Sequence, residues 1–167
     1  MRICFVCSGN ICRSPTAEAV LAQLSEDAGL ELDVDSAGTG SWHAGDDMDR
    51  RSRTTLEAAG YRFDRHHAKQ FTPADFATRD LVVALDGGHR NVLWWLAAET
   101  DDVAAARAKI VMLRSYDDTA GTDLDVPDPY YGAGADFDVV LAQIERACAG
   151  LLEAVRSVDQ QADSPPL

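Results

Sequence analysis

The sequence predicts an α/β fold in which a four-stranded parallel sheet carries helices on both faces, a doubly wound three-layer sandwich. Short continuous apolar runs at residues 81–85 and 110–113 are typical of strands that are covered on both sides. Segments with apolar residues at helical spacing alternate with these runs, and the alternation favours parallel strands joined by crossover helices. Ligands of such sheets bind beyond the carboxyl ends of the strands, and the first of these ends is Cys7.

The predicted elements follow one another along the chain. Strands are predicted over residues 2–6, 32–37, 81–85 and 110–113. Apolar residues recur at helical spacing within residues 17–28 and 137–155, and further helices are predicted over residues 49–59 and 88–99. Gly29 and Gly60 mark the ends of the first two helices, because glycine commonly follows the last helical residue. The last helix has the longest apolar stripe, with Asp136 as its predicted N-cap and Cys148 as an inert packing residue.

The chain has 167 residues, a length that predicts one domain. We expect this domain to span residues 1–157 and a flexible C-terminal tail to span residues 158–167. Residues 115–135 form a long acidic segment without a regular pattern, and loops of this length in compact domains tend to be functional.

The formal net charge of -13 excludes a general affinity for nucleic acids or anionic membranes, so an anionic ligand needs a strong local site. The strand-like run at residues 2–6 leaves no room for a secretion signal before the fold begins. The longest apolar stretch, residues 92–98, is far shorter than the roughly 20 residues that span a bilayer. We therefore expect a soluble, cytoplasmic protein.

Three of the four cysteines, Cys4, Cys7 and Cys12, are crowded near the N-terminus, which is unlike the disulfide framework of a secreted domain. Cys4 and Cys7 have the spacing of a metal site, but no second pair follows at a zinc-like interval, and residues three apart in a strand face opposite sides. A thioredoxin-like pair would lie at a helix N-terminus instead. We expect no metal and no cofactor, and we interpret Cys4 as a core residue.

The segment CSGNICRSP, from Cys7 to Pro15, has the pattern of a strand end, a loop and a helix start, with Ser14 as predicted N-cap and Pro15 as first helical residue. Such a loop can turn successive N–H groups inward and form a nest for phosphate oxygens above the helix terminus. Arg13 can add a bidentate contact, and the same positive field favours the thiolate of Cys7 as a nucleophile. The predicted phosphate-binding residues before the arginine are Ser8, Gly9, Asn10, Ile11 and Cys12.

This nine-residue string resembles the signature of the low-molecular-weight protein tyrosine phosphatases, in a form similar to actinobacterial members. The resemblance extends from residue 2 to about residue 155. Further matching segments in family order are DSAGT at 35–39, Trp42, HHAKQ at 66–70, ALD at 84–86 and DPYYG at 128–132. It implies the phosphotyrosine protein phosphatase I-like fold and metal-independent hydrolysis of phosphotyrosine and aryl phosphates through a phosphocysteine intermediate. The implied partners are phosphotyrosine-containing proteins, with inorganic phosphate as product.

Expulsion of an aryl oxide needs a proton donor, and the acidic loop offers several that residue chemistry alone does not separate: Asp117, Asp118, Asp123, Asp125 and Asp128. The resemblance selects Asp128, since the Asp-Pro-Tyr-Tyr segment carries the general acid of the family. Trp42, Tyr130 and Tyr131 could each be ordinary packing residues, but the resemblance places them beside the substrate ring, with His43 as a further neighbour.

Supporting roles are predicted for the polar residues of the loop. Asn10 and Ser14 can fix its backbone and donate toward the thiolate, and His66 matches the family histidine that braces the loop asparagine. Cys12 is either a small residue in a tight loop or a resolving thiol that protects Cys7 from over-oxidation, and the resemblance favours the second role.

Two rival functions are compatible with the anion loop. A thiol-dependent arsenate reductase needs a relay of cysteines, for which Cys148 in a packed helical stripe is a poor candidate. A non-catalytic phosphotyrosine-binding module would lack the nucleophile or the acid, whereas Cys7 and Asp128 are both present. The sequence therefore favours the phosphatase.

Overall fold

Four parallel strands form one sheet in the computed structural model, which describes the backbone of residues 1–162 and the side chains of residues 1–158. The strands are β1 (Arg2–Cys7), β2 (Asp33–Gly38), β3 (Leu81–Ala84) and β4 (Ile110–Met112). Their order in the sheet is β2-β1-β3-β4, so β1 is central and has a neighbour on each side. The predicted fold class is confirmed.

Helices connect the strands and cover both faces of the sheet: α1 (Arg13–Asp27), α2 (Arg50–Ala58), α3 (Gly87–Ala97), α4 (Val103–Ala108) and α5 (Gly134–Ala162). Short 3-10 helices span Pro73–Thr78 and Leu113–Tyr116. The sequence did not predict these two turns or α4, because each is too short for a helical apolar pattern to be recognised.

The start of α5 differs from the prediction. The helix begins at Gly134, two residues before Asp136, whose carboxylate reaches back and accepts the N–H of Ala133 at 2.7 Å. Asp136 therefore satisfies the helix terminus from inside the first turn rather than from the N-cap position. The helix continues to Ala162, within the segment predicted as a tail, and residues 163–167 lie outside the described residues.

Two apolar clusters lie on opposite faces of the sheet. One cluster contains Phe5 and Cys7 and packs against α1, α2 and α5, and the other contains Cys4 and Val6 and packs against α3 and α4. Cys4 and Cys7 thus face opposite sides, as the strand spacing predicted. Cys148 is fully buried in the first cluster, which confirms its packing role.

The carboxyl ends of β1 and β2 lie side by side, with Cys7 paired with Gly38. A β-carbon added at Gly38 would lie 2.8 Å from the carbonyl oxygen of Ser8, so only glycine allows the loop after β1 to pass this close to β2. Within residues 1–162, no helix is both long and apolar enough to cross a membrane.

Candidate active site

The loop after β1 is held in shape by hydrogen bonds to Asn10. This residue has a positive φ of 57°, a conformation that costs energy in residues other than glycine. Its side-chain amide donates to the hydroxyls of Ser14 and Ser36 at 2.9 and 2.8 Å, and its side-chain oxygen accepts the backbone N–H of Lys69 at 2.9 Å. Nε2 of His66 donates to its backbone carbonyl at 2.7 Å. These contacts stabilise the strained backbone of the loop.

Ser14 does not cap α1, contrary to the prediction. The helix begins at Arg13, and its N-cap position is Cys12, which makes no side-chain capping bond. The Ser14 hydroxyl turns into the loop instead, where its oxygen lies 3.0 Å from Cys7 Sγ. Contacts around the sulfur therefore outweigh the local preference of serine for the N-cap. Pro15 is consequently the third helical residue and not the first, a position that the first turn tolerates.

Cys7 lies at the floor of a cavity of about 360 Å³ at the carboxyl end of the sheet. The cysteine is 3 % exposed, so its sulfur can be reached only through this cavity. The other residues that line it are Ser8, Gly9, Ile11, Cys12, Arg13, Trp42, His43, Asp128, Tyr130 and Tyr131. Of the residues predicted to bind the substrate, Asn10 alone does not line the cavity, because its side chain is buried behind the loop.

The guanidinium of Arg13 is buried and anchored from the side of the sheet. Its Nη1 donates to Asp86 Oδ2 at 2.8 Å and to the carbonyl oxygen of Val126 at 2.9 Å. Its Nη2 donates to Asp128 Oδ2 at 3.2 Å, and the other oxygen of that carboxylate accepts the N–H of Tyr130. The predicted anion ligand and the predicted general acid therefore meet in space, although 115 positions separate them in the chain.

Aromatic side chains form the rim of the cavity. Trp42 and Tyr131 are largely exposed, and the rings of Tyr130 and Tyr131 meet edge to face with centroids 5.0 Å apart. Arg51 from α2 donates to the carbonyl of Tyr130 at 2.9 Å and lies over its ring, so α2 fixes this side of the rim. Sequence reasoning missed Arg51, since its position two residues after Asp49 carries no signal of such a contact.

Cys12 is a free thiol that faces the same cavity as Cys7. Burial, reinforced by the charge of Asp49, raises the pKa of the Cys12 thiol to about 12. At neutral pH Cys12 is therefore protonated and a weak nucleophile.

Two residues at the start of α3 complete the surroundings of Arg13, and sequence reasoning gave neither of them a role. Asp86 follows β3 at the same edge of the sheet as Cys7, and this position after a strand end could have indicated a role in the site. His89 contacts both Ser8 and Arg13.

His67 lines a separate cavity, which Cys7 and Arg13 do not line. Among the described residues, no group of three or more His, Cys, Asp or Glu side chains is arranged to hold a metal ion.

A cysteine at the end of the first strand of a parallel sheet, followed by a loop and an arginine that line one cavity with it, is the arrangement typical of a class of enzyme, the cysteine-dependent phosphatases. The sequence matches the family described as low molecular weight phosphotyrosine protein phosphatase over residues 2–161. The chain belongs to this family, which confirms the resemblance. It is a protein tyrosine phosphatase that hydrolyses phosphotyrosine through a phosphocysteine intermediate, and the mechanism of the family requires no metal.

Three similar proteins illustrate this membership. A low molecular weight protein-tyrosine-phosphatase of Streptomyces coelicolor is 52% identical over 158 residues, which are 93% of each chain. The crystal structure of a protein tyrosine phosphatase from Entamoeba histolytica superposes with a TM-score of 0.87 at 33% identity, covering 95% of this chain and 99% of that one. A Drosophila arginine phosphatase superposes with a TM-score of 0.83 at 30% identity, covering 99% and 100% of the two chains.

Proposed function

We propose that Cys7, Arg13 and Asp128 carry out the phosphatase reaction on phosphotyrosine side chains of cytoplasmic proteins. The observation that supports this assignment is their convergence: the sulfur, the guanidinium and the carboxyl group line one cavity of about 360 Å³. The crowding of Cys4, Cys7 and Cys12, which is unlike a secreted disulfide framework, supports a reducing compartment.

In the first step the thiolate of Cys7 attacks phosphorus, so that a P–S bond forms while the bond from phosphorus to the phenolic oxygen breaks. The Ser14 hydroxyl, 3.0 Å from Sγ, can donate to the sulfur and favour its anionic form. The inward N–H groups of the loop and the Arg13 fork hold the equatorial oxygens of the phosphoryl group. The sulfur attacks phosphorus on the side opposite the leaving oxygen, as an in-line displacement requires.

Asp128 supplies the proton that the departing phenolate takes up, and then removes a proton from the water that cleaves the phosphocysteine. Its Oδ2 is paired with Arg13 Nη2 in the free enzyme. A bound phosphate competes for the same Nη2, and its negative charge turns the carboxyl group toward the leaving oxygen above. The carboxyl side chain is about half exposed, which leaves it room to move.

The surroundings of the other acidic residues of this loop support the choice of Asp128. Asp117 is buried beside Arg114 and Arg146. Asp125 accepts the N–H of Gly87 and so holds the start of α3. Of the five candidate aspartates in this loop, only Asp128 lines the cavity that contains Cys7. The other four are Asp117, Asp118, Asp123 and Asp125.

Phosphotyrosine is the proposed substrate because the cavity has an aromatic rim. Trp42, Tyr130 and Tyr131 line the same cavity as Cys7 and offer flat faces to a phenyl ring, which phosphoserine and phosphothreonine lack. The Drosophila relative is named an arginine phosphatase, so phosphoarginine is the alternative substrate to test.

Hydrolysis of matched peptides that carry phosphotyrosine, phosphoserine or phosphoarginine, with excess chelator present, tests the proposal. We expect rapid release of phosphate from the phosphotyrosine peptide and none from the Cys7→Ser variant. Preference for the phosphoarginine peptide would contradict the substrate assignment, and activity of Cys7→Ser would contradict the assignment of the nucleophile. Thiol consumption that depends on arsenate, without phosphate release, would favour the reductase.

We further propose that Cys12 protects Cys7 from irreversible oxidation. Both cysteines line the same cavity, so a sulfenic acid on Cys7 can condense with the Cys12 thiol to form a disulfide and release water. Peroxide inactivation that thiols reverse in the wild type but not in Cys12→Ser is the expected result. Equal reversal in both proteins would exclude this role.

A further inference from the structure

His89 lies where the phosphate loop meets its arginine, although it belongs to α3 and follows a different strand. The residue is 4 % exposed. Its Nε2 lies 2.9 Å from Ser8 Oγ and 3.4 Å from Arg13 Nη2. Its backbone N–H donates to Asp86 Oδ1 at 2.8 Å, and its Nδ1 lies 3.1 Å from the same oxygen. A single buried ring therefore contacts the first residue of the loop, the guanidinium and the carboxylate that anchors the guanidinium.

The hydrogen-bonding partners fix the tautomer of this ring. Arg13 has donors and no acceptor, so Nε2 must carry the lone pair and the proton must be on Nδ1, which lies 3.1 Å from Asp86 Oδ1 without a well-directed hydrogen bond. The Ser8 hydroxyl then donates to Nε2. Burial, together with the charge of Arg13, lowers the pKa of His89 to about 4, and the facing carboxylates of Asp86, Asp128 and Asp125 only partly oppose this. The ring is therefore neutral at neutral pH, as the contacts with its lone pair require.

The hydrogens of the guanidinium can be assigned one by one, since arginine has five of them in a fixed fork. The two on Nη1 are used by Asp86 and the carbonyl of Val126. Nη2 contacts both His89 Nε2 and Asp128 Oδ2. Nη2 and Nε form one edge of the guanidinium, and this edge can make a bidentate contact with two phosphate oxygens once a phosphate displaces Asp128.

We propose that His89 is a positioning residue of the phosphate site. Its Nε2 accepts hydrogen bonds from Arg13 Nη2 and from the Ser8 hydroxyl, and so fixes these two groups relative to each other. The free edge of the guanidinium and the first loop residue then face the same anion. This role rests on the proposed function of Arg13 and Cys7 and adds a residue that does not itself contact the substrate. A protonated or absent ring leaves the Nη2 hydrogen without this acceptor and removes one of the contacts that fix the orientation of the guanidinium.

Three substitutions separate this role from simple packing. His89→Gln places an amide oxygen near the position of Nε2, His89→Asn has the same amide on a side chain too short to reach, and His89→Leu fills the space without an acceptor. His67→Leu is the control for loss of a histidine at a site away from Arg13. Vanadate inhibition, kcat and KM for an aryl phosphate, and the thermal midpoint are measured for each protein.

We expect His89→Asn and His89→Leu to bind vanadate about 10- to 150-fold more weakly, as for loss of a hydrogen bond to a charged group, and to lose kcat/KM in proportion. His89→Gln should recover most of the vanadate affinity, and His67→Leu should match the wild type. The proposal is wrong if Gln is as weak as Asn, or if either Asn or Leu binds vanadate like the wild type. The Asn variant decides the matter even where Leu fails to fold. Residual hydrolysis by all His89 variants should still be abolished by Cys7→Ser, and its persistence would contradict the proposed function instead.

Discussion

Replacement of Ser14 by alanine tests the contact that we consider most important for the state of the catalytic sulfur. The hydroxyl has one hydrogen, and Cys7 Sγ at 3.0 Å is a closer neighbour than the alternative acceptor, the carbonyl of Ala37 at 3.3 Å. Asn10, which donates to the Ser14 oxygen, keeps its second acceptor Ser36 in the variant. The substitution therefore removes the hydrogen bond to the thiolate and the one that Ser14 accepts from Asn10, while the contacts of Asn10 with Ser36, His66 and Lys69 still support the loop.

A hydrogen bond to a charged group contributes about 1.5–3 kcal/mol. Because each 1.4 kcal/mol is a factor of ten, its loss should lower kcat/KM and the rate of Cys7 alkylation near pH 6 by about 10- to 150-fold. Ser25→Ala is the matched control, since Ser25 is also a buried serine of α1, but its hydroxyl donates only to Ala22 of the same helix. If Ser14→Ala and Ser25→Ala alkylate and turn over at the same rate, the hydroxyl does not stabilise the thiolate and the reasoning is refuted.

Four further predictions concern residues around the same loop. Asp128→Asn should slow hydrolysis by about 100- to 10,000-fold for aryl phosphates with poor leaving groups and by less for those with good ones. A series of substituted phenyl phosphates measures this difference, and an equal loss for all of them would exclude Asp128 as the acid. Gly38→Ala brings a β-carbon within 2.8 Å of the carbonyl oxygen of Ser8 and should lower the unfolding free energy by about 1–3 kcal/mol, as measured by urea denaturation. An unchanged unfolding free energy would mean that the loop moves freely to make room. Because the pKa of Cys12 is raised to about 12, iodoacetamide should modify Cys7 and spare Cys12 between about pH 6 and 9, and equal modification would contradict the assignment. His89 is protonated near pH 6.5 in the unfolded chain but only near pH 4 in the folded protein. As the pH is lowered from about 6.5 to about 4, the unfolding free energy of the wild type should therefore fall by up to about 3 kcal/mol more than that of His89→Gln. Parallel curves for the two proteins would argue against a neutral buried ring.

The place of the site could be predicted from the sequence because it depends on local pattern. The apolar run that ends at Cys7 gives a strand, and a parallel sheet brings ligands to the carboxyl ends of its strands. The loop composition up to Arg13 then gives an anion site. The structure shows the strand and a cavity at its carboxyl end, while the anion site stays a prediction.

Contacts between distant segments could not be predicted in this way. The anchors of Arg13, namely Asp86 and the Val126 carbonyl, lie 73 and 113 positions away, and no spacing rule connects them to the loop. The choice of Asp128 needed the family resemblance, because several aspartates in the same loop have equal chemistry. The N-cap role predicted for Ser14 was wrong for the opposite reason: its local preference for the N-cap is real, but the contact with the sulfur, which was also predicted, outweighs it.

Transfer of the phosphoryl group to sulfur is the central claim, and acid quenching during turnover tests it most directly. A radiolabelled aryl phosphate is mixed with the Asp128→Ala variant, in which water attack is slowed, and the quenched protein is digested and mapped. We predict acid-stable label on the peptide that contains Cys7, and its loss when vanadate is added beforehand. Label on a histidine or aspartate, or turnover without any labelled protein, would contradict the account.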